Sequence, residues 1–160
     1  MASAATNSSD VATVERFIPA PASAIFDLIA DPSRHKDIDG SGTVREATTG
    51  SPRLALGSKF GMSMKAGLGY SMESTIIEFE PDRRIAWQSR PPNGFLAKLA
   101  GGRIWRYELA PVDGGTTVRE SWDITQEKVK FIVRPLRKST IASMTKTLAR
   151  IEELVTKEGS

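Results

Sequence analysis

The sequence predicts an α+β domain in which a curved antiparallel sheet packs on one long C-terminal helix. Residues 138–156 place Ile141, Met144, Leu148, Ile151 and Val155 at intervals of three and four, a single apolar stripe on an amphipathic helix. Most of the chain before it alternates apolar with polar residues between Gly, Pro and Asp turn signals. Only short helical patterns interrupt that alternation. An isolated helix of this length is not stable in water, so its stripe needs a broad apolar partner. A sheet with the helices segregated to one side supplies it, and so many consecutive strands favour strong twist and partial closure.

Residues 1–10 are small and polar and read as a disordered tail, leaving 11–157 as one domain. Residues 11–18, VATVERFI, form a first strand. Val14 and Ile18 share one face, Val11 and Phe17 the other, and alternation alone leaves open which face turns inward. Pro19 and Pro21 stop this strand, and Pro21 suits a helix start. Ile25, Phe26 and Ile29 then give a short apolar helix face over 22–30. Asp31-Pro32 breaks it, because the residue before proline avoids the helical region. A second short helical piece over 33–38 follows, then a turn at 39–42.

About six strands come next. Residues 42–49 are a weak candidate, followed by a turn at 50–53. Phe60, Met62, Met64 and Ala66 alternate with Gly61, Ser63 and Lys65, before a reversal near Gly67 and Gly69. Residues 70–80 and 84–90 are strands joined by a turn at Pro81-Asp82, with Ile85 and Trp87 on one side. Residues 91–101 form a loop with a turn of helix near Phe95–Leu99. Trp105, Tyr107 and Leu109 share one face of a strand over 103–109. PVDGG at 111–115 signals a hairpin, and Val118, Glu120, Trp122 and Ile124 share a face of its partner over 116–124. Pro135 either kinks a helix or separates a short helical lead-in from the long helix.

Composition bounds the function. The 160 residues are 39% hydrophobic and carry a net charge of +3, which fits one ordinary domain and demands no anionic partner. Absence of cysteine excludes disulfides and thiolate metal sites and fits a cytoplasmic location. The N-terminal residues show no secretory signal, and no apolar run approaches the roughly 18 residues of a spanning helix. The G-x-S-x-G, G-x-G-x-x-G and established nucleic-acid motifs are absent, so no nucleic acid is expected as a partner.

Three stretches carry a family resemblance: IPAPASAIFDLIADPSRHKDID at 18–39, EFEPDRRIAW at 78–87 and LAPVDGGTTVRESWDI at 109–124. With the terminal helix, they resemble the SRPBCC superfamily of START-like or Bet v 1-like helix-grip proteins, in its polyketide cyclase/dehydrase-like branch. The resemblance covers nearly the whole chain after residue 10. It implies a helix-grip fold with an elongated cavity between sheet and long helix. Similar proteins include lipid and hormone binders, aromatase/cyclases and ring-hydroxylating oxygenase domains. The oxygenase domains carry iron-binding histidines, whereas this chain has a single histidine, so neither metal nor cofactor is implied.

Large adaptable side chains supply the candidate ligand wall: Met62, Met64, Met72, Trp87, Phe95, Trp105, Tyr107, Trp122, Met144 and Leu148. Each is also an ordinary core residue type. The candidates for chemistry are Glu120, Tyr107, Arg106 and Glu73. Glu120 shares its strand face with Val118 and Trp122. Burial would raise its pKa, and an arginine from the preceding strand, Arg103 or Arg106, would lower it. Tyr70 and Tyr107 offer hydrogen-bond donors for a carbonyl or phenolate. His35, in the polar string PSRHKDI, is expected to be exposed or to cap a helix rather than to act as a base.

The resulting expectation is binding or transport of a small hydrophobic molecule, lipid-like or aromatic. The alternatives are a polyketide cyclase/dehydratase-like enzyme and a regulatory protein-interaction module. Basic residues at Lys128, Lys130, Arg134, Arg137 and Lys138 around Phe131, Ile132, Val133 and Leu136 allow peripheral contact with a lipid surface.

Overall fold

The computed structural model describes residues 10–40, 44–49, 53–64, 70–91 and 101–158. Strand β1 (Val11–Ile18) leads into α1 (Ala22–Ile29), a tight helical turn at Pro32–Arg34 and α2 (His35–Ile38). Six strands follow: β2 (Val44–Thr49), β3 (Lys59–Met64), β4 (Tyr70–Glu80), β5 (Arg84–Arg90), β6 (Arg103–Val112) and β7 (Gly115–Asp123). The chain closes with α3 (Lys130–Val133), a second tight turn at Arg134–Leu136 and the long α4 (Arg137–Glu158). Pro135 lies in that second turn, so the expected break before the long helix is present. The turn residues expected at 41–42, 50–52 and 65–69 lie outside the described residues, as do 92–100 with Phe95.

The seven strands form one antiparallel sheet in the order β1-β7-β6-β5-β4-β3-β2. Strands β2 to β7 are a meander, and β1 adds to its far edge beside β7. Helices α1 and α2 therefore connect opposite edges of the sheet, and the curved sheet wraps α4. Several local devices fit this sheet to the helix. Register shifts between Ile76 and Glu78 on β4 mark an irregularity that bends the strand. Gly114, at φ 82°, takes the left-handed conformation that the tight Asp113-Gly114 turn requires.

The inward face of β1 is now defined. Ala12 and Ile18 are buried and Val14 packs on the core, whereas Phe17 is 48% exposed. On α4, Met144, Leu148, Ile151 and Val155 are buried and Ile141 is half-buried, which is the predicted stripe. Its C-terminal half packs with Ile25, Phe26 and Ile29 of α1 and with Ile85, Leu109 and Val118 of the sheet. Its N-terminal half is different: Met144 joins Trp122, Ile124, Ala12 and Val133 in a second cluster. The inner face thus carries two apolar clusters rather than one.

The turn after α2 is pinned onto α4. Gly40 N–H donates to Thr147 Oγ1 at 2.8 Å, and Arg150 Nη1 donates to the Asp39 carbonyl at 2.6 Å. A Cβ at position 40 would stand 2.1 Å from the Ser143 carbonyl oxygen, so only glycine permits this approach. The contact fixes α2, and with it His35, over the middle of the sheet.

Candidate functional site

Hairpin geometry brings the first two site residues together. The Asp113-Gly114 turn pairs Val112 with Gly115, and this register places Tyr107 opposite Glu120 and Trp105 opposite Trp122. All four side chains share the inner face of the sheet, because period-two alternation repeats that face at every second residue. The Tyr107 hydroxyl donates to Glu120 Oε1 at 2.9 Å. Glu120 is 2% exposed and Tyr107 4%. Among the described residues, Glu120 Oε2 and Trp122 Nε1 are the buried side-chain polar atoms without a hydrogen-bond partner.

Burial sets the protonation state of this pair. Removing the Glu120 carboxyl from water pushes its pKa up to about 8; the Tyr107 hydrogen bond opposes the rise and the nearby Asp39 charge adds to it. Glu120 is therefore mostly a neutral carboxylic acid at pH 7. Tyr107 is held well above the ordinary phenol range, first by burial and then by Glu120.

Aromatic rings extend from the pair across β5 towards α2. Trp87 lies tilted against Tyr107 with ring centroids 5.6 Å apart. The His35 ring stacks on Trp87 at 5.1 Å and meets the edge of Phe60 at 5.3 Å. His35 Nε2–H donates to the Ile29 carbonyl at 2.7 Å, which satisfies a carbonyl left over at the C-terminus of α1. His35 thus caps a helix, one of the two roles expected, but it is buried rather than exposed. Burial lowers its pKa, so it stands as a neutral ring. Its polar neighbours in sequence gave no sign of this, because Ser33, Lys36 and Asp37 face away while His35 and Ile38 turn inward.

Neither Arg103 nor Arg106 of the preceding strand joins the pair. Arg106 lies on the outer face of β6, where Nη2 meets Glu78 Oε2 at 2.6 Å and Nη1 lies 3.9 Å from Asp123. Arg103 pairs with Glu127 at 3.1 Å. Of the two influences weighed for Glu120, burial and a neighbouring arginine, burial is the one present, and the hydrogen-bond partner is Tyr107. Glu73 also sits away from the pair, opposite Arg90 on β5 and Gly61 on β3, with parity opposite to the buried Ser74.

The ligand-wall candidates divide by burial. Trp122, Met144 and Leu148 are fully enclosed, whereas Trp87 and Trp105 are half-buried. Met72 is half-buried too, on the inward parity set by Ser74. β3 contributes Met62 opposite Met72, and Met64 opposite Tyr70; the side chains of Met62, Met64 and Tyr70 lie outside those described. Among the described residues, no three His, Asp or Glu side chains gather as a metal-ligand set, and no helix is long and apolar enough to cross a membrane.

Comparison with known proteins agrees with this architecture. The family described as "Polyketide cyclase / dehydrase and lipid transport" matches residues 10–156. The uncharacterized protein Rv0088 of Mycobacterium tuberculosis is 33% identical over 144 residues, covering 85% of this chain and 60% of that protein. The chain therefore spans about three fifths of that relative's length. Among solved structures, CV1439 from Chromobacterium violaceum superposes with a TM-score of 0.70 at 17% identity, covering 91% of this chain and 96% of that one. Ms6760 from Mycobacterium smegmatis gives 0.69 at 16% identity, covering 94% and 93%. At such identities the structural likeness concerns the fold alone.

Proposed function

The chain belongs to the polyketide cyclase / dehydrase and lipid transport family, and on that premise we propose that it binds a small hydrophobic compound, lipid-like or aromatic, between the inner face of the sheet and α4. The observation that carries this reading is the incomplete burial of Trp87, Trp105 and Met72 on a face where their neighbours Ile85, Trp122 and Ile76 are closed off from water. Large apolar groups half-covered beside a few buried polar atoms are the usual lining of a small-molecule site. Native mass spectrometry tests it, on the protein as purified and after incubation with fatty acids, flavonoids and fused-ring aromatics. A one-to-one adduct that survives desolvation is the expected result. A bare protein mass across the whole panel would count against it.

The basic segment supports a route for such a compound. Phe131, Ile132 and Leu136 are 74%, 62% and 45% exposed, while Val133 between them reaches into the cluster of Trp122 and Met144. Lys128, Arg134 and Lys138 are exposed beside them. Apolar side chains ringed by cations suit an anionic lipid surface. The protein should co-sediment with vesicles containing phosphatidylserine and far less with phosphatidylcholine alone, and Phe131→Ser with Ile132→Ser should abolish the difference. Equal sedimentation with both vesicles would contradict this contact.

A second reading, a cyclase/dehydratase-like enzyme, is favoured by the Tyr107–Glu120 pair. A neutral carboxylic acid and a phenol held together in an apolar setting can hydrogen-bond a carbonyl as negative charge develops on its oxygen.

A further inference from the structure

We propose that Asp10 is a built-in competitor for the anionic lipid surface: its carboxylate occupies two cations, Lys130 and Arg134, that an anionic phospholipid headgroup would otherwise take. This rests on the lipid-contact reading of the basic segment and adds a latch to it. Asp10 stands immediately before β1, 120 residues from Lys130 in the chain. Lys130 Nζ donates to Asp10 Oδ2 at 3.3 Å, and Arg134 Nε donates to Oδ1 at 3.0 Å. A spacing of four in continuous helical backbone puts both cations on one side of the lead-in. One carboxylate therefore engages both. Phe131, Ile132 and Leu136 stand exposed in the same segment.

The latch is built to exchange. The Arg134 side chain is 50% exposed and that of Lys130 34%, and ion pairs this open to water are weak. Arg134 and Lys130 hold the Asp10 carboxyl below its ordinary pKa, so it is charged at neutral pH. The aspartate competes through proximity: tethered to the same fold, it is present at an effective concentration that an outside anion must exceed. A headgroup phosphate carries the negative charge and acceptor oxygens that these cations pair with. At a bilayer the exposed apolar side chains enter the interface in the same step. That coupling selects a lipid anion over dissolved phosphate. Exchange leaves the start of β1 in place, because its anchors are backbone groups. The Asp10 carbonyl accepts from Ile124 N–H at 2.9 Å, and the Val11 carbonyl accepts from Arg137 Nη1 at 3.0 Å.

Co-sedimentation with vesicles of phosphatidylserine and phosphatidylcholine tests the latch through a mutant cycle. Asp10→Asn removes the competing charge, keeps the side-chain size and leaves the backbone anchors. It should bind the vesicles roughly tenfold more tightly than wild type, the fold-change of two cations released to an anionic surface. Asp10→Ala, which has no side-chain acceptor, should show the same gain. Asp113→Asn makes the same charge change at the opposite end of β7 and should stay within about twofold, since salt screens so distant a charge. Arg134→Gln should cost several-fold more affinity in Asp10→Asn than in wild type, where Asp10 already engages the guanidinium. Equal affinity of wild type and Asp10→Asn overturns the latch and leaves the lipid contact standing. So does an equal gain in Asp113→Asn, or an Arg134→Gln loss of the same size in both backgrounds, because net charge alone would produce either. If neither wild type nor Asp10→Asn prefers these vesicles to phosphatidylcholine alone, the lipid contact fails and the latch with it.

Discussion

Glu120→Gln should stabilise the protein at pH 9 and leave it nearly unchanged at pH 5. The wild-type carboxyl has a folded-state pKa of about 8, against 4.5 for an ordinary glutamate. Below pH 4.5 both folded and unfolded chains hold the proton, and the group contributes no pH dependence. Between pH 4.5 and 8 the unfolded chain releases the proton while the folded chain keeps it, so stability falls as pH rises, by about 1.4 kcal/mol per pH unit. Above pH 8 the loss is complete and amounts to several kcal/mol. Glutamine has no proton to release, so the variant lacks this slope. His35 contributes an opposite slope, because its lowered pKa makes stability fall as pH drops below 6.5. Asp10 is likewise shifted, downward by Arg134. Both are present in wild type and variant alike, so the difference between the two proteins isolates Glu120. Urea midpoints at pH 5, 7 and 9 give the measurement. A difference between variant and wild type that stays constant from pH 5 to pH 9 would mean that Glu120 keeps an ordinary carboxyl pKa within the fold.

Leu148→Ala should cost about 2–5 kcal/mol with little change in denaturant slope. Leu148 is 1% exposed, at the middle of the α4 stripe, and packs in the cluster that joins α1 to the sheet. Truncation removes apolar surface from water-free contact and leaves a cavity that the pinned helix cannot readily close. The hydrogen bonds from Gly40 and Arg150 hold α2 and α4 at fixed separation nearby. An unchanged midpoint would reject central packing of this helix.

The fold was legible because its signals are local. Turn chemistry at Pro81-Asp82 bounds β4 and β5, and the apolar spacing of α4 records its buried face. The site was legible only in part. Tyr107 and Glu120 were each placed on a plausible inward face, but their contact depends on register. The signal existed: the two-residue Asp113-Gly114 turn makes residues symmetric about it cross-strand partners. The same register excludes Arg106, since alternation puts it on the face opposite Tyr107. His35 carried no comparable signal. Its burial arises from Trp87 and Phe60, brought over it by strands far away in sequence. Local polarity around His35 therefore pointed outward while tertiary packing turned the ring in. The separation of the core into two clusters was also hidden, because the stripe on α4 is continuous and only its partners differ.

Chemical-shift mapping tests the central claim most directly, that an apolar compound lodges between sheet and long helix. Titration with a ligand that saturates should perturb β6 residues near Trp105 and inward α4 residues near Met144 together, at one common dissociation constant. Burial of apolar surface should accompany it as a negative heat-capacity change of binding. Saturable shifts confined to Lys128–Lys138, with Trp105 and Met144 unmoved, would contradict the claim and assign binding to the basic surface instead.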